Sequence, residues 1–299
     1  MNVSPALMAA ALWGAHVLSG SPQPIAARLT VSVRAPAHAS LAIQEFGGAE
    51  RRPIRRYDRD MTKLLHLIVV DDSLETFMHV HPVLNSAGIF NIALALPHGG
   101  RWHFYADGMP HNFSRQVFRF DVELPAAGAA PRSSVPSERR VVSVGPYLIA
   151  LASTVLPAGK TTMLAIHIER NGAPAKDLRP YLGARAHAVL IGPGFSYIHA
   201  HAMSNAMSSA MATGAMPMGM SMGGTPSRAP PPDDGCGNDA TGMSLVELPP
   251  NAHVAPDMAV MLRPVQPGRY HLWLQFRDRA AVYTAPFLIQ VRGRSKLNK

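Results

Sequence analysis

Cysteine is almost missing: Cys236 is the only one in 299 residues. A disulfide framework and any cysteine-based zinc finger are thereby excluded, since both need several thiols. Charge is sparse too, with Asp, Glu, Lys and Arg making up 16% of the chain. Hydrophobic residues reach 47%, so the chain does not lack the apolar surface that folding requires. Beyond the first 20 residues no apolar run approaches the roughly 18 residues of a membrane-spanning helix. What the chain has in plenty is 16 Met and 14 His. Soft thioethers and borderline imidazoles abound where thiolates are nearly absent.

Residues 1–27 contain no Lys, Arg, Asp or Glu. Ala6 to Leu18 is apolar but too short to cross a bilayer, and small residues follow through Ile25-Ala26-Ala27. This reads as a signal peptide over residues 1–27, although no positive charge beyond the amino terminus precedes it and His16 interrupts it. The expectation is an exported protein, periplasmic or secreted, with no stable membrane span after cleavage. No cysteine near the cleavage point offers a site for a lipid anchor.

Net charge is +9, carried mostly by one half. Residues 28–128 hold 11 basic and 10 acidic side chains, and residues 129–299 hold 17 and 9. The arginines of the basic half are scattered, and the densest run, Arg51-Arg52-Pro53-Ile54-Arg55-Arg56, lies in the balanced half. No aromatic-flanked basic patch appears, so no nucleic-acid partner is expected.

The chain repeats itself. His66-Leu67-Ile68-Val69-Val70, then Phe77-Met78-His79-Val80-His81, recurs as His187-Ala188-Val189-Leu190-Ile191, then Tyr197-Ile198-His199-Ala200-His201. Gly100-Arg101-Trp102-His103-Phe104 matches Gly268-Arg269-Tyr270-His271-Leu272, and each copy closes on an alternating segment, Val117 to Leu124 and Ala285 to Val291. Ordered matches of this kind indicate an internal duplication. The second copy carries an insert at 203–250, rich in Met, Ser, Gly and Pro, which cannot bury enough apolar surface to order itself. Short β-branched or aromatic segments broken by Gly, Pro and Asn argue an all-β fold. Examples are Arg28 to Val33, Leu64 to Val70, Ile89 to Leu96, Val141 to Ser153, Thr161 to Glu169 and Arg269 to Phe276. The reading is two tandem immunoglobulin-like β-sandwiches over 28–125 and 138–293, joined by a linker at 126–137, with a disordered Met-rich insert in the second.

Alternate residues of a strand share a face, so His79 and His81 point together, about 7 Å apart at Cα. His66, at the start of the preceding strand, is positioned to face them across the sheet, and His103 is a fourth candidate. The second quartet is His187, His199, His201 and His271. Neutral imidazoles suit Cu(II), Zn(II) or Ni(II), and nearby Met tilts the choice toward copper. The competing reading makes His66 and His187 core histidines bonded to backbone carbonyls, and His103 and His271 structural. Met203, Met207, Met211, Met216, Met218, Met220 and Met222 lie directly after His201 without the Leu, Ile or Val of a core stripe. Thioethers on a mobile chain would capture Cu(I), and low-complexity filler is the plainer alternative.

No catalytic motif is present: there is no Gly-x-Ser-x-Gly, no Gly-rich phosphate loop and no His-Glu-x-x-His. Asp71-Asp72 near Glu75 reads as a solvated loop. No enzyme is expected.

Lys63 to Leu124 resembles a domain of poorly characterised exported bacterial proteins. The marks are His66-Leu67-Ile68-Val69-Val70, Phe77-Met78-His79-Val80-His81-Pro82, and Gly100-Arg101-Trp102 followed by Tyr105-Ala106-Asp107. The resemblance implies an immunoglobulin-like β-sandwich and an association with heavy-metal handling, especially of copper, in the cell envelope. The second copy departs from it, with Ala202 in place of Pro82 and Trp273-Leu274-Gln275 in place of Tyr105-Ala106-Asp107. The expected function is therefore a non-enzymatic envelope protein that sequesters or delivers copper, with zinc as the alternative ion. An envelope metal transporter or another protein would be its partner. The rival is a metal-free envelope scaffold or adhesion protein whose sandwiches bind protein partners.

Overall fold

The computed structural model describes residues 8–14, 16–17, 25–35, 38–125, 138–204 and 246–293. The chain divides into two compact units, Met1–Val135 and Pro136–Lys299. Both are all-β sandwiches, and the division falls inside the 126–137 stretch, which lies outside the described residues.

In the first unit one sheet runs, in spatial order, through Met8–Gly14, Ile25–Ala35, His38–Gly47, Ile89–Ala95 and Val83–Leu84. The other runs through His16–Val17, Gln116–Leu124, Gly100–Pro110, Leu65–Asp71 and Phe77–Val80. Residues 8–14, inside the expected signal peptide, thus pair antiparallel with Ile25–Ala35. Period-2 alternation selects the strands: Ile25, Ala27, Leu29 and Val31 are buried while Arg28 and Thr30 are only partly so. Phe118, Phe120, Val122 and Leu124 likewise face inward, with Asp121 and Glu123 outward. Together with Phe90, Trp102 and Phe104 they form one core between the two sheets.

The second unit repeats the plan. Val141–Val144, Tyr147–Leu151, Thr162–Arg170, Asp257–Leu262 and Met203–Ser204 make one sheet. Val155–Pro157, Val282–Arg292, Gly268–Arg277, His187–Ile191 and Tyr197–His201 make the other. The expected single segment Val141 to Ser153 is two strands, because Gly145 at φ 57° and Pro146 turn the chain between them. Of the Met-rich insert, residues 205–245 lie outside the described residues.

The duplication extends to backbone conformations that no motif displays. Met61 and Leu182, each five residues before the lone histidine, both take left-handed φ, 54° and 49°. Leu74 and Phe195, each eight residues after it, both have φ 58°. Side chains with a Cβ rarely accept this region, so four such outliers at matched positions mark the same two turns in each copy.

Candidate metal-binding histidine clusters

In the Leu65–Asp71 strand, Leu65, Leu67 and Val69 join the core, so the alternate His66, Ile68 and Val70 project from the opposite face. The next strand returns antiparallel with Ile68 opposite His79, which carries His79 and His81 to the face that bears His66. In the second unit His187 lies directly opposite His201, and Val189 opposite His199. Antiparallel register therefore assembles three imidazoles on one face of each unit.

Different chemistry fixes the hairpin in each copy. Asp71, buried at 2% exposure, accepts hydrogen bonds from the backbone N–H of Glu75 at 2.9 Å and of Thr76 at 2.8 Å. The Asp71-Asp72 pair is thus not wholly a solvated loop: Asp71 is the internal brace of the turn, and only Asp72 is exposed. The second copy braces the turn with Gly192-Pro193-Gly194, where a Cβ on Gly192 would sit 2.1 Å from the Tyr270 ring. Only glycine fits there.

His66 Nδ1 lies 2.8 Å from His79 Nε2, and His81 Nε2 lies 3.3 Å from that same His79 nitrogen. In the second unit His187 Nδ1 lies 3.0 Å from His199 Nε2, with the His201 ring centroid 4.6 Å from that of His187 and 4.8 Å from that of His199. The far nitrogen of each lone histidine meets a carbonyl: His66 Nε2 is 3.2 Å from the Asp60 oxygen, and His187 Nε2 is 3.0 Å from the Tyr181 oxygen. A carbonyl only accepts, so Nε2 must carry the proton and Nδ1 presents a lone pair inward. This is the outer-shell bond that orients metal-ligating histidines. The carbonyls come from the turns at Met61 and Leu182, closed by the bridges Asp60–Lys63 and Tyr181–Ala184.

The spacing fits an ion. With metal–nitrogen bonds of about 2.0–2.1 Å, nitrogen separations of 2.8, 3.0 and 3.3 Å subtend about 85–110°. That range covers square-planar and tetrahedral angles. The histidine nitrogens brought together within each unit, His66 with His79 and His187 with His199, are close enough to share one ion. His81 is held neutral, as ligation requires: desolvation, then the neighbouring His79 and Lys63, push its pKa down to about 3. Each unit thus contains a buried histidine group positioned to hold a metal ion.

Residues at matched positions near the lone histidines differ in charge. Asp60 Oδ2 is 4.0 Å from His66 Nε2 and 3.1 Å from Arg115 Nη2, and Arg115 in turn grips Asp107 through two bonds of 2.6 Å. In the second unit Tyr181 replaces Asp60 and Gln275 replaces Asp107, with Gln275 Nε2 donating to Thr284 Oγ1 at 3.0 Å. At these matched positions the first unit carries carboxylates and the second carries amide and hydroxyl side chains.

His103 and His271 are not brought into the clusters. Each sits about 13 Å along its strand from the residue paired with the lone histidine, four residues at strand rise. His103 is instead held between two carboxylates, Nδ1 2.8 Å from Asp121 and Nε2 3.1 Å from Asp72. His271 packs 5.7 Å from the Trp273 ring. Met203 is buried in a strand of the other sheet of its unit, beside Ala259. Met207, Met211, Met216, Met218, Met220 and Met222, with Cys236, lie outside the described residues. Sequence reasoning missed the carbonyls of Asp60 and Tyr181, the Asp71 brace and the Asp107–Arg115 pair. No sequence signal marks the two carbonyls, which lie six residues before each lone histidine on residues of unlike type.

Among solved structures, the chain is similar to a glycosyl hydrolase family 2 member from Bacteroides cellulosilyticus, at 9% identity and TM-score 0.23. The match covers 85% of this chain and 23% of that one, so this chain spans about a quarter of that protein's length. It is also similar to a segment of two fibronectin type III domains from chicken tenascin, at 11% identity and TM-score 0.20, covering 91% and 99%. At these scores the likenesses carry nothing about activity. No curated protein matches the chain by sequence. Residues 142–220 match a family described as a domain of unknown function, DUF8832.

Proposed function

We propose that this protein is an exported, non-enzymatic metal-binding protein of the cell envelope, and that its physiological ion is copper, sequestered or passed to an envelope transporter. The observation that carries the reading is the recurrence of one arrangement in both units. A lone histidine is held by a carbonyl through Nε2, and its Nδ1 lies 2.8 or 3.0 Å from the Nε2 of the first histidine of the pair. Packing alone would preserve an imidazole shape in both copies but has no need to aim nitrogens at one another. Imidazole ligands suit Cu(II), and the thioethers of Met207 to Met222 would add capture of Cu(I).

Competition titrations against chelators of known strength, with Cu(II), Cu(I) and Zn(II), test this reading on the full chain. Copper should outcompete zinc at the histidines. Deletion of residues 205–243 should weaken Cu(I) binding and leave Cu(II) binding in place. Zinc bound as tightly as copper would overturn the choice of ion, and loss of no metal affinity on deletion would remove the Met segment from the account.

A further inference from the structure

The arginines that are scattered along the basic half of the sequence partly converge in the fold. Arg179, Arg277 and Arg279, with Asn251, line a pocket of about 380 Å³ in the second unit. Backbone pairing creates it: Arg179 N–H donates to the Arg277 carbonyl at 2.9 Å, an isolated bridge at the end of the Gly268–Arg277 strand. The guanidinium of Arg277 is tethered through one Nη2 bond to the Pro250 carbonyl at 3.3 Å, and Arg179 Nη1 donates to the Leu178 carbonyl at 2.7 Å. Arg277 Nε is buried and has no hydrogen-bond partner among the described residues.

Three like charges around one pocket repel, and nearby carboxylates would ordinarily offset them. The two closest in sequence are committed elsewhere. Asp177 accepts from Tyr147 at 2.8 Å and pairs with Arg170. Asp278, set between Arg277 and Arg279, accepts from Tyr147 and Tyr283, each at 3.1 Å, and from the N–H groups of Ala280 and Ala281. Among the described residues no carboxylate forms an ion pair with any of the three arginines. A bound anion would neutralise them.

We infer that this pocket is a binding site for a tetrahedral oxyanion, a phosphate or phosphate monoester. A carboxylate has two oxygens and is satisfied by one bidentate guanidinium, whereas three forks match an anion with several oxygens and a charge near −2. The volume, toward the small end of ligand sites, leaves room for a modest group attached to the phosphate. The inference is independent of the histidine clusters.

The test is calorimetric titration of the metal-free full chain with inorganic phosphate and with a small phosphate monoester, in chloride of matched ionic strength. Saturable binding of either is expected, weakened about tenfold or more in Arg277→Gln/Arg279→Gln. Arg140→Gln, at an exposed arginine outside the pocket, should leave it unchanged. Arg279→Gln alone, at an exposed position, guards against a folding defect and should weaken binding by itself. Absence of saturable binding, or equal binding by wild type and both pocket variants, would overturn the inference.

Discussion

At the scale of the residue, the histidine pairs were the most legible part of the site, because period-2 alternation puts residues i and i+2 on one face whatever else the fold does. The groups that orient them were not legible, since Asp60 and Tyr181 contribute a main-chain oxygen that any residue type would supply. Buried charge was equally hidden. Glu45 lies wholly buried, and desolvation raises its pKa to about 8, the Asp107 charge adding to that effect and Tyr57 opposing it. The folded chain therefore holds a proton that the unfolded chain releases above the ordinary carboxyl pKa of 4.5. Stability contributed by the protonated form is complete below that value and is lost as pH rises toward about 8. Urea unfolding should accordingly show Glu45→Gln gaining on wild type by on the order of a few kcal/mol between about pH 5 and pH 8.5. A constant difference across that range would contradict the assignment. Arg115→Ala leaves Asp107 buried without its bidentate partner and should cost about 3–5 kcal/mol in the same assay.

At the scale of the element, the strands were readable from alternation and β-branched content, and their ends fell within a few residues of where the turn residues placed them. Val141 to Ser153 was the exception, because Gly145 and Pro146 sit inside a run whose hydrophobicity continues on both sides. The turns between the histidine strands show how one geometry arises from two chemistries, a carboxylate brace in one copy and a Gly-Pro-Gly turn against Tyr270 in the other. Asp71→Ala leaves two buried N–H groups without an acceptor and should cost about 1–3 kcal/mol. Gly192→Ala drives a methyl group into the Tyr270 ring and should cost about as much. Each substitution should also weaken metal binding in its own unit and spare the other, which per-unit titration in a background lacking the other histidine pair would show. Equal weakening in both units would contradict the local role of the turns.

At the scale of the whole molecule, the duplication was visible in four ordered motifs, and the all-β sandwich class followed from strand length and spacing. The convergence of Arg179, Arg277 and Arg279 was not visible, since their sequence separation carries no period and only the strand-end bridge brings them together. Three imidazoles close together on one sheet face are costly to dehydrate without an ion to bind them, so metal should stabilise the fold as a linked equilibrium. At free copper about a hundredfold above the dissociation constant, the gain should be about 2.7 kcal/mol, seen as a rise in melting temperature that a chelator reverses.

The most direct test of that account is the Cu(II) content of the full chain after exposure to Cu(II) without reductant and exhaustive dialysis, compared with His79→Ala/His81→Ala/His199→Ala/His201→Ala. The account predicts copper retained by the wild type and lost from the variant, with both chains showing the same β-sheet circular dichroism. A wild-type chain that leaves dialysis empty, or a variant that keeps its copper, would return these histidines to the role of packing residues.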